Sequence, residues 1–355
     1  MKPIIKLFLT FLALSFIWQN NAQAAPHILL TNQYKFTARS TVKTAARGHN
    51  SLILLNDSKT LVKRRPMGYY FRRISKTVRR EISAKSAMVM DAMSGDILYS
   101  RNPDLPRQPA STIKVLTGII AIDSLHKNDL VPVSRYAARM PRSKIYLRPG
   151  HEYKANDLIN ALLLVSANDA SVALAERIGG TEKTFSRLMT ARARSFGATN
   201  TVCKSASGLT HRGQHTTARD LAKIFNHAMQ NPVFAKTMER IRYRASSGQL
   251  FTTHNKALWR VRGAVGGKTG YTARARQTYV GSFRRNNHEL VVAIMGSETM
   301  WNDIKYLVQY GFAKEKLQDR ERMALRTNEK LLRHFKLVDF TTDSRRPLHI
   351  ATVLR

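Results

Sequence analysis

Acidic residues are scarce in this chain. Only 23 Asp and Glu stand against 59 Lys and Arg in 355 residues, a formal charge of +36. Such a field attracts polyanions rather than repelling them. Cysteine is scarcer still. Cys203 is the only one, so an internal disulfide is excluded. A lone cysteine of this kind is read as a small buried apolar residue, and the core must hold by packing alone. Long apolar runs are missing after residue 18, so no later stretch is expected to span a bilayer. Internal repeats and low-complexity tracts are also lacking. The hydrophobic content of 43% is ordinary and allows a sizeable core.

The N-terminus supplies the one apolar run. Lys2 and Lys6 precede twelve residues, Leu7 to Trp18, and Ala22-Gln23-Ala24 follows as a small-x-small site. Residues 1–24 are therefore expected to be a secretory signal peptide, cut after Ala24. An uncleaved anchor would need a longer run. An exported chain meets no nucleic acid. The expected location is the periplasm or the outer face of the cytoplasmic membrane. There the excess charge suits an anionic envelope surface of lipid headgroups or wall polymers. A solvated basic surface with no specific partner is the plainer reading. Residues 25–80 carry Asp57 as their only acid among many Lys and Arg. They read as a basic, partly disordered arm, with a short strand expected at Ser51–Leu55.

Clear patterning starts near Ser86. Ala87–Asp91 and Asp96–Ser100 predict two strands around a turn at Ala92–Gly95. Pro109-Ala110-Ser111 opens a helix carrying Ile113, Leu116, Ile119 and Ile120. Helical patterns follow at Ala155–Val165, Ala167–Ile178, Glu182–Ser195 and Ala218–Met229. Strands return at Gly266–Thr272, Thr278–Arg284 and Glu289–Gly296, the last two joined by a turn at Arg285–His288. Trp301–Phe312 reads as a helix, and 314–355 as a charged helical tail. Strands at both ends with helices between predict an α+β fold. Its expected architecture is an antiparallel sheet flanked by helices, with an inserted helical subdomain, over residues 81–313.

Three polar elements interrupt this apolar pattern. Ser111 and Lys114 form S-x-x-K at a helix start, where a spacing of three puts both on one face. Serine is a weak nucleophile until a neighbouring base takes its proton, and a lysine with a lowered pKa can do so. Ser166 and Asn168 form S-x-N between two apolar helical runs. A helix break capped by Ser166 would explain the serine but not the amide two residues later. The functional reading makes Ser166 a proton relay and Asn168 a partner for a substrate amide. Lys268-Thr269-Gly270 lies in GAVGGKTGYT. A phosphate loop would need glycine at 262, where Arg262 stands. A sheet edge that takes an extended substrate fits better, with Lys268 supplying positive potential, Thr269 binding a carboxylate and Gly270 allowing close approach. Each element is weak alone. In this order they form the signature of serine acyl enzymes of the penicillin-binding and β-lactamase class.

From about Ser86 to Phe312 the chain resembles the D-alanyl-D-alanine carboxypeptidases, the low-molecular-mass penicillin-binding proteins. The resemblance lies in AMVMDAMSGDILYSRNPD, PASTIKVLTG, LRPGHEYKANDLINALLLVSANDASVALAE, SGLTHRGQHTTARDLAKI and KTGYT. It implies a cofactor-free, metal-free serine peptidase acting on peptidoglycan stem peptides, with β-lactams as covalent inhibitors. It further implies Ser111 as nucleophile and Lys114 as general base. The implied oxyanion donors are the backbone N–H groups of Ser111 and Tyr271. Arg219 matches a family arginine and is expected to help hold the substrate carboxylate. Arg276 departs from the family, which has glycine there, and raises a question about local strand geometry. An endopeptidase that cuts cross-links is the main alternative. A β-lactamase lacks support, since no E-x-x-L-N-like segment follows Asn168. A catalytically weak envelope-binding protein is the alternative from outside the enzymes.

Overall fold

A computed structural model describes residues 67–339 of the chain. The expected signal peptide and the Ser51–Leu55 strand lie outside the described residues. The chain divides into two units, Met1–Tyr70 and Phe71–Arg355, and the fold below is that of the second. Helix α1 (Met67–Glu81) leads into strands β1 (Ser86–Asp91) and β2 (Ile97–Arg101). A 3-10 turn, Ala110–Ile113, runs straight into α2 (Lys114–Ser124). Next come β3 (Leu130–Pro132), α3 (Arg135–Ala138), β4 (Glu152–Lys154), α4 (Ala155–Leu164), α5 (Asn168–Gly179) and α6 (Glu182–Ser195). Then follow α7 (Ala218–Met229), α8 (Pro232–Met238), β5 (Arg242–Arg244), β6 (Leu250–Thr252) and α9 (Ala257–Arg260). The chain closes with β7 (Ala264–Thr272), β8 (Arg276–Arg285), β9 (His288–Ser297) and α10 (Met300–Asp339).

The main sheet has the order β2-β1-β9-β8-β7, and every neighbouring pair is antiparallel. Its centre joins the two ends of the domain. Ala87 of β1 pairs with Ile294 of β9 and Asp91 with Leu290. Side chains alternate between the two faces of a strand. In β9, Val291, Ala293 and Met295 enter one core, while Leu290, Val292 and Ile294 enter the other. The first core is shared with α2 and helices α4 to α8, which form the inserted helical layer. The second is shared with Val78 of α1 and with Ile304, Leu307 and Val308 of α10. A strand buried on both faces reads as an unbroken apolar run, and LVVAIM is one. Burying each such side chain stabilises the fold by roughly 1.5–3 kcal/mol.

Helix α2 lies inside the first core, with Val115, Leu116, Ile119, Ile120 and Ala121 all buried. Buried from Lys114 to Ala121 and exposed only at its end, Asp123 and Ser124, it serves as the central post. The helices around it are fixed by caps. Thr181 accepts the N–H of Thr184, Thr217 that of Asp220, and Asn231 those of Val233 and Phe234. Each cap is worth about 1 kcal/mol.

One reading needs correction. The end of the basic arm is a helix. In α1, Phe71, Ile74 and Val78 recur at spacings of three and four, and the Phe71 ring lies 5.2 Å from that of Tyr310. The cations Arg72, Arg73, Lys76, Arg79 and Arg80 interleave with this stripe and make the segment look like an unstructured charge run. The expected helical tail is present as far as Asp339. Trp301–Phe312 and the charged segment after it form one continuous helix, α10. No described helix is long and apolar enough to cross a membrane.

Candidate active site

The three polar elements meet at the edge of the sheet. Ser111 sits in the 3-10 turn, Lys114 begins α2, and Ser166 and Asn168 flank the start of α5. Lys268, Thr269 and Gly270 lie on the edge strand β7. A cleft of about 490 Å³ opens among them. Ser111, Ser166, Asn168, Thr269, Gly270 and Tyr271 all line it.

The nucleophile turn is clamped to the sheet. Thr112 Oγ1 and Thr278 Oγ1 both donate to the Pro109 carbonyl, at 2.6 and 3.0 Å. Gly270 presses against the same turn. A Cβ there would lie 2.5 Å from Thr278 Oγ1 and 2.8 Å from the Ser111 nitrogen. Gly208 makes the second close approach. Its φ is +78°, and a Cβ would lie 2.0 Å from the Ala110 carbonyl oxygen. No other residue fits there. Ser166 also has a left-handed backbone, with φ +61°.

Lys114 is fully buried. Its Nζ donates to Asn168 Oδ1 at 2.7 Å, to the Ser207 carbonyl at 2.6 Å and to Ser111 Oγ at 2.9 Å. Burial holds its pKa well below the usual lysine value. The charge of Lys268 adds to that effect, while Asp169 and Glu182 oppose it. Two of the three partners are carbonyl oxygens, which only accept. When the amine is neutral its two N–H bonds stay on them, and its lone pair points at the Ser111 hydroxyl. That is the geometry of a general base.

Lys268 is buried as well, and burial lowers its pKa to about 7. Its Nζ donates to Ser166 Oγ and to the Thr269 carbonyl, both at 3.0 Å. Asn168 is held from the other side. Its Nδ2 donates to the Pro141 and Arg142 carbonyls at 3.0 and 3.1 Å. The chain of contacts thus runs Ser111–Lys114–Asn168 and Ser166–Lys268, one buried lysine on each side of the cleft.

Arg219 is not part of this cluster. Its Nε and an Nη donate to Asp104 at 2.6 and 2.9 Å, and it does not line the cleft. The bidentate pair ties the start of α7 to the segment before the nucleophile. Arg276 adopts φ +59°, which a glycine would take without strain. Pairing with β7 is kept, since Thr272 still pairs with Arg276 and Tyr271 with Gln277, while the register with β9 shifts between Gln277 and Thr278.

Sequence reasoning missed three contributors. Asp169 is completely buried and accepts the N–H groups of Ile145, Leu147 and Ala170. It fixes the loop that brings Arg142 and Ser143 to the cleft. The aspartate directly after S-x-N was the available signal. Ser207 had none, because it acts through its backbone. His254 lines the cleft from the segment before β7. Partial covering of its ring and the nearby charges of Lys268, Lys114 and Lys256 lower its pKa. Among the described residues one trio, Asp91, His288 and Glu315, could offer ligand atoms to a metal. None of the three lines the cleft, and His288 is already held 3.2 Å from Glu315 and 2.7 Å from Asp319.

Comparison with known proteins identifies the family and the fold. The peptidase S11 family model, described as D-alanyl-D-alanine carboxypeptidase, matches residues 73–299. The chain is 39% identical over 241 residues to D-alanyl-D-alanine carboxypeptidase DacB2 of Mycobacterium tuberculosis, covering 65% of this chain and 82% of that protein. It is 30% identical to DacF of Bacillus subtilis, covering 61% of this chain and 58% of that one. A crystal structure of the D-alanyl-D-alanine carboxypeptidase from Mycobacterium tuberculosis H37Rv superposes with a TM-score of 0.62 at 37% identity, over 66% of this chain and 92% of that one. Penicillin-binding protein D2 of Listeria monocytogenes, solved in an ampicillin-bound form, superposes with a TM-score of 0.61 at 25% identity, over 66% and 99%. By sequence, fold and the match over residues 73–299, the chain belongs to the D-alanyl-D-alanine carboxypeptidase family of serine peptidases.

Proposed function

We propose that this protein is a serine-type D-alanyl-D-alanine carboxypeptidase that trims peptidoglycan stem peptides. The observation that carries the reading is the buried Lys114 amine, held by two carbonyl oxygens and directed at Ser111 Oγ.

Ser111 Oγ attacks the carbonyl carbon between the two terminal D-alanines, and Lys114 takes its proton. The oxyanion lies between the backbone N–H groups of Ser111 and Tyr271. As the C–N bond breaks, Ser166 passes a proton to the leaving amine and takes back the one that Lys114 received from Ser111, so D-alanine departs and Lys114 is neutral again. Lys268 keeps the Ser166 hydroxyl oriented and raises the positive potential of the cleft. Asn168 orients both Lys114 and the substrate amide. Thr269 receives the terminal carboxylate, while Gly270 lets the edge strand approach the nucleophile turn closely. Water then releases the acyl group from Ser111, with Lys114 acting again as base. A β-lactam presents a strained amide to the same serine and leaves a long-lived ester.

The leader of residues 1–24 supports an exported enzyme, at the periplasm or the outer face of the cytoplasmic membrane. The cations of residues 25–80 support loose attraction to an anionic envelope surface. Release of D-alanine from a soluble D-alanyl-D-alanine pentapeptide tests the activity. Wild type should release it and Ser111→Ala should not. A wild type that cuts only cross-linked dimers and releases no D-alanine from the monomer would sink the carboxypeptidase reading.

A further inference from the structure

A second and larger cavity, about 1080 Å³, lies beside the cleft. The two are neighbours through one short segment. Leu209 lines both, Ser207 lines the larger one while its carbonyl holds Lys114, and Thr210 bonds Thr272 of the cleft at 3.3 Å. Five cations line the larger cavity. Lys183, Arg187 and Arg194 come from α6, and Lys204 and Arg212 from the loop that leads back to Leu209. Spacings of four and seven put the three helical cations on one face.

These cations are free. All five are exposed, and none joins an ion pair or a side-chain hydrogen bond among the described residues. Arg192 of the same helix differs, being paired with Asp123 on another face. The cavity has two carboxylates of its own, which accept from neutral donors and keep their charge. Glu182 accepts from Tyr136 OH at 2.7 Å and from the Ala206 N–H at 2.8 Å, and Glu176 accepts from Ser134 Oγ at 3.0 Å. With five cations against two carboxylates, the lining carries a net positive charge beside the cleft that holds the nucleophile.

We infer that this cavity receives the carboxylate-bearing part of the substrate upstream of the scissile bond. The inference rests on the stem-peptide reading above. A peptide whose D-alanyl end fills the cleft continues away from it, at about 3.3–3.6 Å per extended residue. Stem peptides carry free carboxylates within three residues of that end. Exposed charge pairs are individually weak, so the effect belongs to the set of five and acts mainly on capture.

Two peptides test this on the full chain. One is L-alanyl-γ-D-glutamyl-diaminopimelyl-D-alanyl-D-alanine, and the other has its two internal carboxylates converted to amides. Wild type should show a kcat/KM roughly fivefold to tenfold higher for the acidic peptide, with the difference in KM. The exposed double variant Arg187→Glu, Lys204→Glu should bring that ratio to about one or below. It should leave turnover of the amidated peptide and acylation by benzylpenicillin unchanged. Equal kcat/KM for both peptides on wild type would overturn the inference. So would a variant that keeps the wild-type peptide ratio yet no longer binds soluble poly(glycerol phosphate), which would make the cavity a wall-polyanion site. A wild type that forms no penicillin adduct would instead remove the parent reading.

Discussion

Lys114 Nζ lies 2.9 Å from Ser111 Oγ, in a side chain with no exposed surface. Its position follows from a spacing of three residues across a 3-10 turn that continues into α2. Burial lowers the pKa of the amine and so favours its neutral, basic form. Lys114→Met should keep much of the volume and lose the base. Acylation by benzylpenicillin should slow by about 10²–10⁴-fold. Stopped-flow acylation kinetics measure this, with circular dichroism as a control for folding. A variant within threefold of wild type would place the base elsewhere.

The pH profile should follow from the same burial. Lys114 must be neutral to act, so acylation falls as pH falls through its lowered pKa. The limb should lie well below the usual lysine value of 10.5. A rate that keeps climbing to pH 10 would mean that the amine is charged at neutral pH.

Lys268 should leave a mark on stability. Its pKa falls from 10.5 to about 7 on folding. Between those two values the unfolded chain holds a proton that the folded chain lacks. Stability contributed by this group is therefore present above the upper value, and declines as pH drops toward 7. The slope is on the order of 1 kcal/mol per pH unit. Urea midpoints of wild type between pH 7 and 10 should carry this positive component, and Lys268→Met should lack it. Parallel profiles would contradict a buried neutral lysine.

Gly208→Ala should be severe. The substitution adds a Cβ at positive φ, 2.0 Å from the Ala110 carbonyl. A loss of roughly 2–4 kcal/mol is expected, together with slower acylation as the nucleophile turn shifts. Thermal melts and penicillin labelling report the two effects. An unaffected variant would mean that the 110–113 turn yields easily.

Arg276→Gly should be mild. Glycine relieves a left-handed backbone worth about 1 kcal/mol, and the β7–β8 pairing is already intact. Acylation should stay within about twofold, because Arg276 does not line the cleft. A tenfold rise would show that the arginine obstructs the site.

The strands β1, β7, β8 and β9 and the helices α2 and α4 to α7 were legible because each carries a period of two or 3.6, or an apolar run. The polar interruptions at Ser111, Ser166 and Lys268 were legible because such residues are out of place in those patterns. Helix α1 was hidden, since its stripe of Phe71, Ile74 and Val78 is narrow and crowded by arginines. The short pairs β3–β4 and β5–β6 have three residues per strand, too few for a period to show. Arg219 was placed by its position after SGL, and only the fold reveals Asp104 as its partner. Asp169 left one trace, its place directly after S-x-N, while Ser207 acts through its backbone carbonyl and left none.

The most direct test of the account is covalent labelling. Wild type and Ser111→Ala would each be incubated with benzylpenicillin and weighed intact. The account predicts one penicilloyl mass added to wild type, mapped to the Ser111 peptide, and none on the variant. A folded wild type that gains no mass, or a variant that still gains it, would contradict Ser111 as the nucleophile.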